Sequence, residues 1–264
     1  MIRKISLPLI AAIAISCFTV ILFFIPVANL LLSAGLSGII KASFDRYAIK
    51  AILISFEAAF VATLLSIIFG VPLAYLMARK NFPGKSIIEG IIDLPIVIPH
   101  TVAGIALLMV LGRNGIIGAP LSQIGIRIAD SMYGIVAAMM FVSAPFLINH
   151  AREGFEAVDP RMENVAISLG ATRLQAITTI TLPLSMRNLI VGSIMTWARA
   201  ISEFGAVIVI AYFPMIAPTY IYSKYIEEGL AAAVAPAALL LLLTILVFVM
   251  ARIVASKWRR YDKG

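Results

Sequence analysis

Charge and cysteine are scarce in this chain. Of its 264 residues only 13% are charged, one is cysteine (Cys17) and two are histidine (His100 and His150). One cysteine excludes an intrachain disulfide and a thiolate metal cluster. Two histidines without an HExxH pattern exclude a multi-histidine metal site. A phosphate-binding loop is also missing. Gly84-Lys85-Ser86 matches only its tail, because the glycine required five residues before Gly84 is Arg79. No cofactor is therefore expected on this chain, and any energy for work comes from elsewhere. No internal repeat is visible.

What the chain has instead is hydrocarbon: 62% of its residues are hydrophobic. They form runs at roughly 7–33, 51–77, 87–111, 132–149, 189–212 and 231–254, each about as long as the 20 or so residues that cross a bilayer. The reading is an all-α polytopic membrane protein with six transmembrane helices, in contact with lipid. The first run is longer than the apolar core of a secretory signal, so it reads as a retained anchor.

Basic residues fix the expected orientation. With the N-terminus inside, Arg3, Lys4, the cluster Arg79, Lys80 and Lys85, the loop around Arg152 to Arg187 and the tail from Arg252 to Lys263 all share one side. Fewer, among them Lys41, Arg46, Arg113, Arg127 and Lys224, fall on the other. Positive residues mark the cytoplasmic side, so both termini are predicted to be cytoplasmic. The net charge of +8 thus reads as topology, and no nucleic-acid partner is expected.

Ionisable groups inside spans usually face a bundle interior or an aqueous path. In the fifth run Gly192, Thr196, Arg199, Glu203 and Ala206 recur at helical spacing and predict one small, polar face. That face suits a solute pathway; a structural Arg199–Glu203 pair is the plainer alternative. In the third run, DLPIVIPHTVAG, Pro95 and Pro99 predict a bend or opening, with His100 and Thr101 beside it.

Between the fourth and fifth runs lies a half-polar stretch, ENVAISLGATRLQAITTITLPLS, from Glu163 to Ser185. Asp159-Pro160 predicts a helix start, Gly170 a stop, and Thr172 with Gln175 a capping box opening a second helix. Pro183 is expected to end that helix near Leu182. Two short amphipathic helices joined at a glycine could lie in the headgroup region or dock in a groove on a cytoplasmic partner.

This segment resembles the EAA loop of ABC-transporter permeases, which runs Glu-Ala-Ala, three residues, Gly, nine residues, Ile, one residue, Leu-Pro. Ala166, Gly170, Ile180, Leu182 and Pro183 keep the spacing; Asn164 and Val165 replace the first two residues, and Glu163 comes one place early. LPIVIPHTVAGIAL and WARAISEFGAVIVIAYFPMIAPTYIY are similar to the oxyanion branch, most of all to archaeal molybdate/tungstate permeases. The resemblance implies a type I ABC importer permease fold. Its organisation would be a first helix and external loop (1–47), a permease domain (48–254) with a cytoplasmic coupling loop at about 151–188, and a tail (255–264).

It also implies partners: a second copy of the chain, two ATPase subunits that carry ATP and Mg, and an extracellular oxyanion-binding protein. Glu163, Ala166, Gly170, Ala171, Thr172, Ile180, Leu182 and Pro183 would form the ATPase-coupling loop. Pro95, Pro99, His100, Thr101, Thr196, Arg199, Ser202 and Glu203 are the implied pathway and gate candidates. Sulfate or another small anion remains an alternative cargo. A secondary transporter would need no such loop. A membrane-embedded enzyme using Asp93 and His100 is the alternative of a different class.

Overall fold

The structure is a computed structural model that describes residues 7–257, and every regular element within them is helical. In order these are α1 (Leu7–Phe44, kinked at Gly35), α2 (Arg46–Arg79), α3 (Lys85–Val97), α4 (His100–Leu111), α5 (Gly118–Gln123) and α6 (Met132–Glu156). Then come α7 (Pro160–Ser168), α8 (Arg173–Ala176), α9 (Leu182–Ile201), α10 (Gly205–Ile210), α11 (Ala217–Glu228) and α12 (Leu230–Lys257). Five described helical stretches are long and apolar enough to cross a membrane; the α3–α4 pair, bent by 115°, makes a sixth.

The core is built from α6, the most buried long helix, packed between α2 and α9. Its partners meet it through small residues: Ala58, Ala59, Ala62 and Ala74 on α2 are fully buried, as are Ala138 and Ala151 on α6 itself. A Cβ on Gly192 of α9 would come within 2.8 Å of the His150 Cβ, and one on Gly154 within 2.6 Å of the Asn188 Cβ. Lipid tails are as apolar as any core, so close backbone approach and packing hold such helices together. At the end of the bundle where α2 begins, Asp45 caps α2 and accepts the Tyr220 hydroxyl at 2.7 Å, while the Ala217 N–H donates to Ser55 Oγ at 2.7 Å. These contacts pin α11 to the start of α2.

Two expectations from the sequence are corrected. The helix opened by Thr172 does not stop at Leu182. It continues as one span, Arg173–Ile201, by widening into a π turn at Ile177–Thr181. There the Leu182 N–H reaches back to the Ile177 carbonyl, and the wider turn carries the Pro183 ring past the carbonyl it would strike in a regular helix. Thr178 and Thr179 return hydroxyl hydrogen bonds to the Leu174 and Gln175 carbonyls at 2.9 and 2.6 Å.

The polar face of the fifth run is not one continuous helix either. α9 ends at Ile201 and the chain restarts as α10 at Gly205. Glu203 lies in the gap, where its carboxylate accepts the Ala206 N–H at 2.8 Å and so serves the start of α10.

Candidate functional site

Two regions gather the polar residues singled out by the sequence. The first is α7 and its flanks. Asp159 Oδ1 accepts the Arg161 N–H at 2.9 Å, with Pro160 in the first turn. The helix closes in a Schellman motif: the Ala171 N–H bonds the Ala166 carbonyl and the Gly170 N–H bonds the Ile167 carbonyl, both at 3.0 Å. Gly170 sits at φ +99°, a conformation that glycine enters without a Cβ penalty. Thr172 and Gln175 then form the reciprocal capping box, at 3.2 and 2.8 Å.

The two sides of α7 differ sharply. Glu163 is buried on the inner side and is the centre of a network. Its Oε1 accepts from Arg79 Nε at 2.8 Å and from the Thr181 hydroxyl at 2.6 Å, and its Oε2 accepts from Tyr75 at 2.8 Å. Arg79 also donates to the carbonyls of Phe155 and Val158, at 2.7 and 3.0 Å. One carboxylate therefore ties α7 to the end of α2, the end of α6 and the π turn. Burial alone would push the Glu163 carboxyl up. The hydrogen bonds from Thr181, Tyr75 and Arg79, with the Arg79 charge, outweigh burial and hold it below its ordinary value. On the outer side Met162, Val165 and Leu169, at spacings that share a helix face, are exposed. Ile180 and Leu182 are half-buried in the helix that follows, and Pro183 is exposed.

The second region is where the two broken helices meet. Arg199, near the end of α9, donates to Glu203 Oε2 at 2.7 Å, approaches His100 Nε2 at 2.8 Å and reaches Ser202 Oγ at 3.5 Å. His100 opens α4 and lies 3.6 Å from the Glu203 carboxylate. Glu203 is fully buried, while His100, Thr101 and Ser202 are exposed.

The packing that brings them together depends on two glycines. A Cβ on Gly205 would lie 2.7 Å from the His100 Cβ, and one on Gly104 would lie 2.7 Å from the Ala206 carbonyl oxygen. Backbone cannot yield as a side-chain tip can. Gly104→Val is therefore expected to cost about 1–3 kcal/mol through overpacking, seen as a lower melting temperature of the purified protein; an unchanged melt would contradict the close approach.

The other candidates fall elsewhere. Thr196 is fully buried against α6, where its hydroxyl donates to the Ser143 carbonyl at 3.3 Å. Pro95 is buried inside α3, and Pro99 is exposed at the bend. Asp93 accepts from Asn149 at 2.7 Å and does not join His100, so the pair considered for acid–base chemistry is not assembled.

Sequence reasoning missed Arg79 and Tyr75 as partners of Glu163. The available signal was the acid itself, since a carboxylate on the inward side of a membrane-flanking helix needs a cation, and Arg79 ends the neighbouring span.

A bundle of membrane-length helices carrying a short, capped helical projection is the fold of the membrane-spanning subunits of type I ABC importers. The crystal structure of a bacterial alginate ABC transporter, in complex with an alginate pentasaccharide-bound periplasmic protein, matches 97% of this chain and 96% of its own, with TM-score 0.72 and 20% identity. The chain belongs to the family of binding-protein-dependent transport system inner membrane components, whose model matches residues 70–260. It is 42% identical to the molybdate/tungstate transport system permease protein WtpB of Thermococcus kodakarensis, over 90% of this chain and 92% of the relative. It is 29% identical to the sulfate transport system permease protein CysT of Synechocystis, over 98% and 92%. The chain is thus a multi-pass, non-catalytic membrane subunit of an ABC importer, which works with separate ATPase subunits and a substrate-binding protein.

Proposed function

We propose that this chain forms the translocation pathway of a molybdate/tungstate importer, as two copies above two ATPase subunits and beneath an extracellular binding protein. The observation that carries the cargo assignment is the near full-length similarity to archaeal molybdate/tungstate permeases, which exceeds that to the sulfate permease. Both termini and α7 lie on the cytoplasmic side, an orientation supported by the distribution of Lys and Arg. α7 docks in the ATPase subunit through Met162, Val165 and Leu169, and Glu163 anchors it from behind. Closure of the ATPase pair on ATP moves α7, and the rigid network passes that motion to α2, α6 and α9.

The meeting point of α4, α9 and α10 is the pathway and gate region, with Pro99, His100, Thr101, Arg199, Ser202 and Glu203 at or beside it. A dianion must find enough positive charge to offset dehydration without being trapped. Arg199, partly neutralised by Glu203, supplies such a graded charge, and the exposed Thr101 and Ser202 hydroxyls add donors. Thr196 and Pro95 act from behind, by setting how α9 and α3 pack on α6.

The test is uptake into proteoliposomes containing the assembled importer and its binding protein. ATP-dependent uptake of tungstate or molybdate is expected to persist in excess sulfate; uptake of sulfate in preference to both would overturn the cargo assignment. In the same assay Arg199→Gln is expected to lower transport roughly tenfold or more, the scale of one charge-assisted contact, with binding-protein affinity unchanged.

A further inference from the structure

We infer that the cavity between the end of α4 and the segment leading into α6 is a landing site for a small tetrahedral dianion, held by Arg113 and Arg127. The cavity measures about 230 Å³ and is lined by both arginines with Leu111, Ser122, Ile128 and Asp130. That is room for roughly seven waters, or for a tetrahedral oxyanion that keeps part of its hydration shell. Among the described residues neither guanidinium has a hydrogen-bond or ion-pair partner. Asp130, the cavity's one acid, is engaged elsewhere: its carboxylate accepts the Tyr212 N–H at 3.2 Å and its own N–H donates to the Ile210 carbonyl at 3.1 Å. Two exposed, unpartnered cations against one carboxylate leave a net positive recess.

Its position gives the recess a use. α6 begins just after Asp130 and ends at Glu156, so the cavity lies at the opposite end of the bundle from α7. Asp130 joins the cavity wall to the end of α10, and α4 runs from the wall at Leu111 to the Arg199 contact at His100. Eleven residue steps of helix span about 16 Å. An ion delivered on the outer side would meet a shallow, solvated positive site first and the inner arginine second. Stepwise weak sites favour passage over retention, and a basic recess raises the local anion concentration. The choice of a dianion rests on the proposed oxyanion cargo; the cavity and its unpaired arginines do not.

Arginine-specific labelling with phenylglyoxal tests the site directly. The assembled complex, in nanodiscs of zwitterionic lipid and without binding protein, is labelled in sodium tungstate or in sodium chloride of equal ionic strength, and the modified peptides are quantified by mass spectrometry. Tungstate is expected to slow labelling of Arg113 and Arg127 several-fold and to leave Arg46, exposed at the same end of the bundle, unchanged. Equal slowing at Arg46, or none at the pair, overturns the site.

In uptake assays at saturating binding protein, R113Q/R127Q is expected to be about threefold or more slower, and R113K/R127K to recover most of the rate, as a point charge suffices for steering. A defect that excess binding protein repairs would instead make the arginines a contact for an acidic protein surface, and the proposal would fall. Protection by tungstate in a wild-type complex that transports neither tungstate nor molybdate would remove the cargo assignment and leave the site standing.

Discussion

Glu163→Ala is expected to abolish coupled uptake and to lower the stability of the purified chain by about 3–5 kcal/mol, the usual cost of stranding a buried charge. The charge stranded is Arg79, whose side chain is only 8% exposed. The two carbonyls it also contacts, of Phe155 and Val158, cannot neutralise it. Thr181 and Tyr75 lose their acceptor at the same time. Removing Arg79 together with Glu163 is expected to cost less than the two single losses added, because no lone charge then stays behind. Thermal melting of the two single variants and the double variant measures this coupling. Additive losses would mean that the pair does not hold α7 to the bundle.

The same carboxylate sets a pH dependence. Its pKa in the folded protein lies below the ordinary 4.5, so its contribution is fully present above that ordinary value. It is lost as the pH falls through the lowered folded value. Stability at neutral pH is therefore insensitive to this group, and an acid-induced loss that Glu163→Gln no longer shows is the expected signature.

Gly170→Asp is expected to leave the bundle folded and to disconnect ATP hydrolysis from uptake. A Cβ at position 170 would meet nothing within 4 Å, so the substitution causes no clash. Its cost is conformational: φ +99° is unsuited to a side chain, and relieving it costs about 1–3 kcal/mol. Relief must rotate α7 relative to α8, since Gly170 is the joint between them. The new carboxylate also sits at the C-terminal end of α7, where the helix dipole disfavours negative charge. Uptake per ATP hydrolysed is expected to fall roughly tenfold, which corresponds to about 1.4 kcal/mol of lost coupling, with melting of the isolated chain lowered by no more than that conformational cost. Unaltered binding-protein-stimulated hydrolysis and uptake in this variant would weigh heavily against α7 as the coupling element.

The sequence was most informative where local chemistry decides the structure. Asp159-Pro160, Gly170 and the Thr172–Gln175 box define the loop's starts and stops without help from distant residues, and all appear in the structure. The Pro95–Pro99 pair likewise foretold a break between α3 and α4, though not its 115° angle.

Local rules failed where distant packing intervened. Pro183 should have ended a helix, but the bundle keeps that helix continuous through a π turn, a register change with no strong sequence signature. The even spacing from Gly192 to Ala206 suggested one polar face, yet Gly192 and Thr196 pack on α6 while Arg199 and Glu203 gather at a gap. Spacing reports which residues share a face, not what that face meets. Arg79 lies 84 residues from Glu163, and no periodicity reaches that far.

Co-purification with the ATPase subunits tests the central claim most directly, comparing wild type with Val165→Asp/Leu169→Asp. Both side chains point outward, at 60% and 85% exposure, and neither joins the Glu163 network, so the altered chain should melt like wild type. Loss of the ATPase subunits from an otherwise intact chain is expected. Retention of a full complement of ATPase by that variant would mean that the outer side of α7 is not where this permease meets its motor.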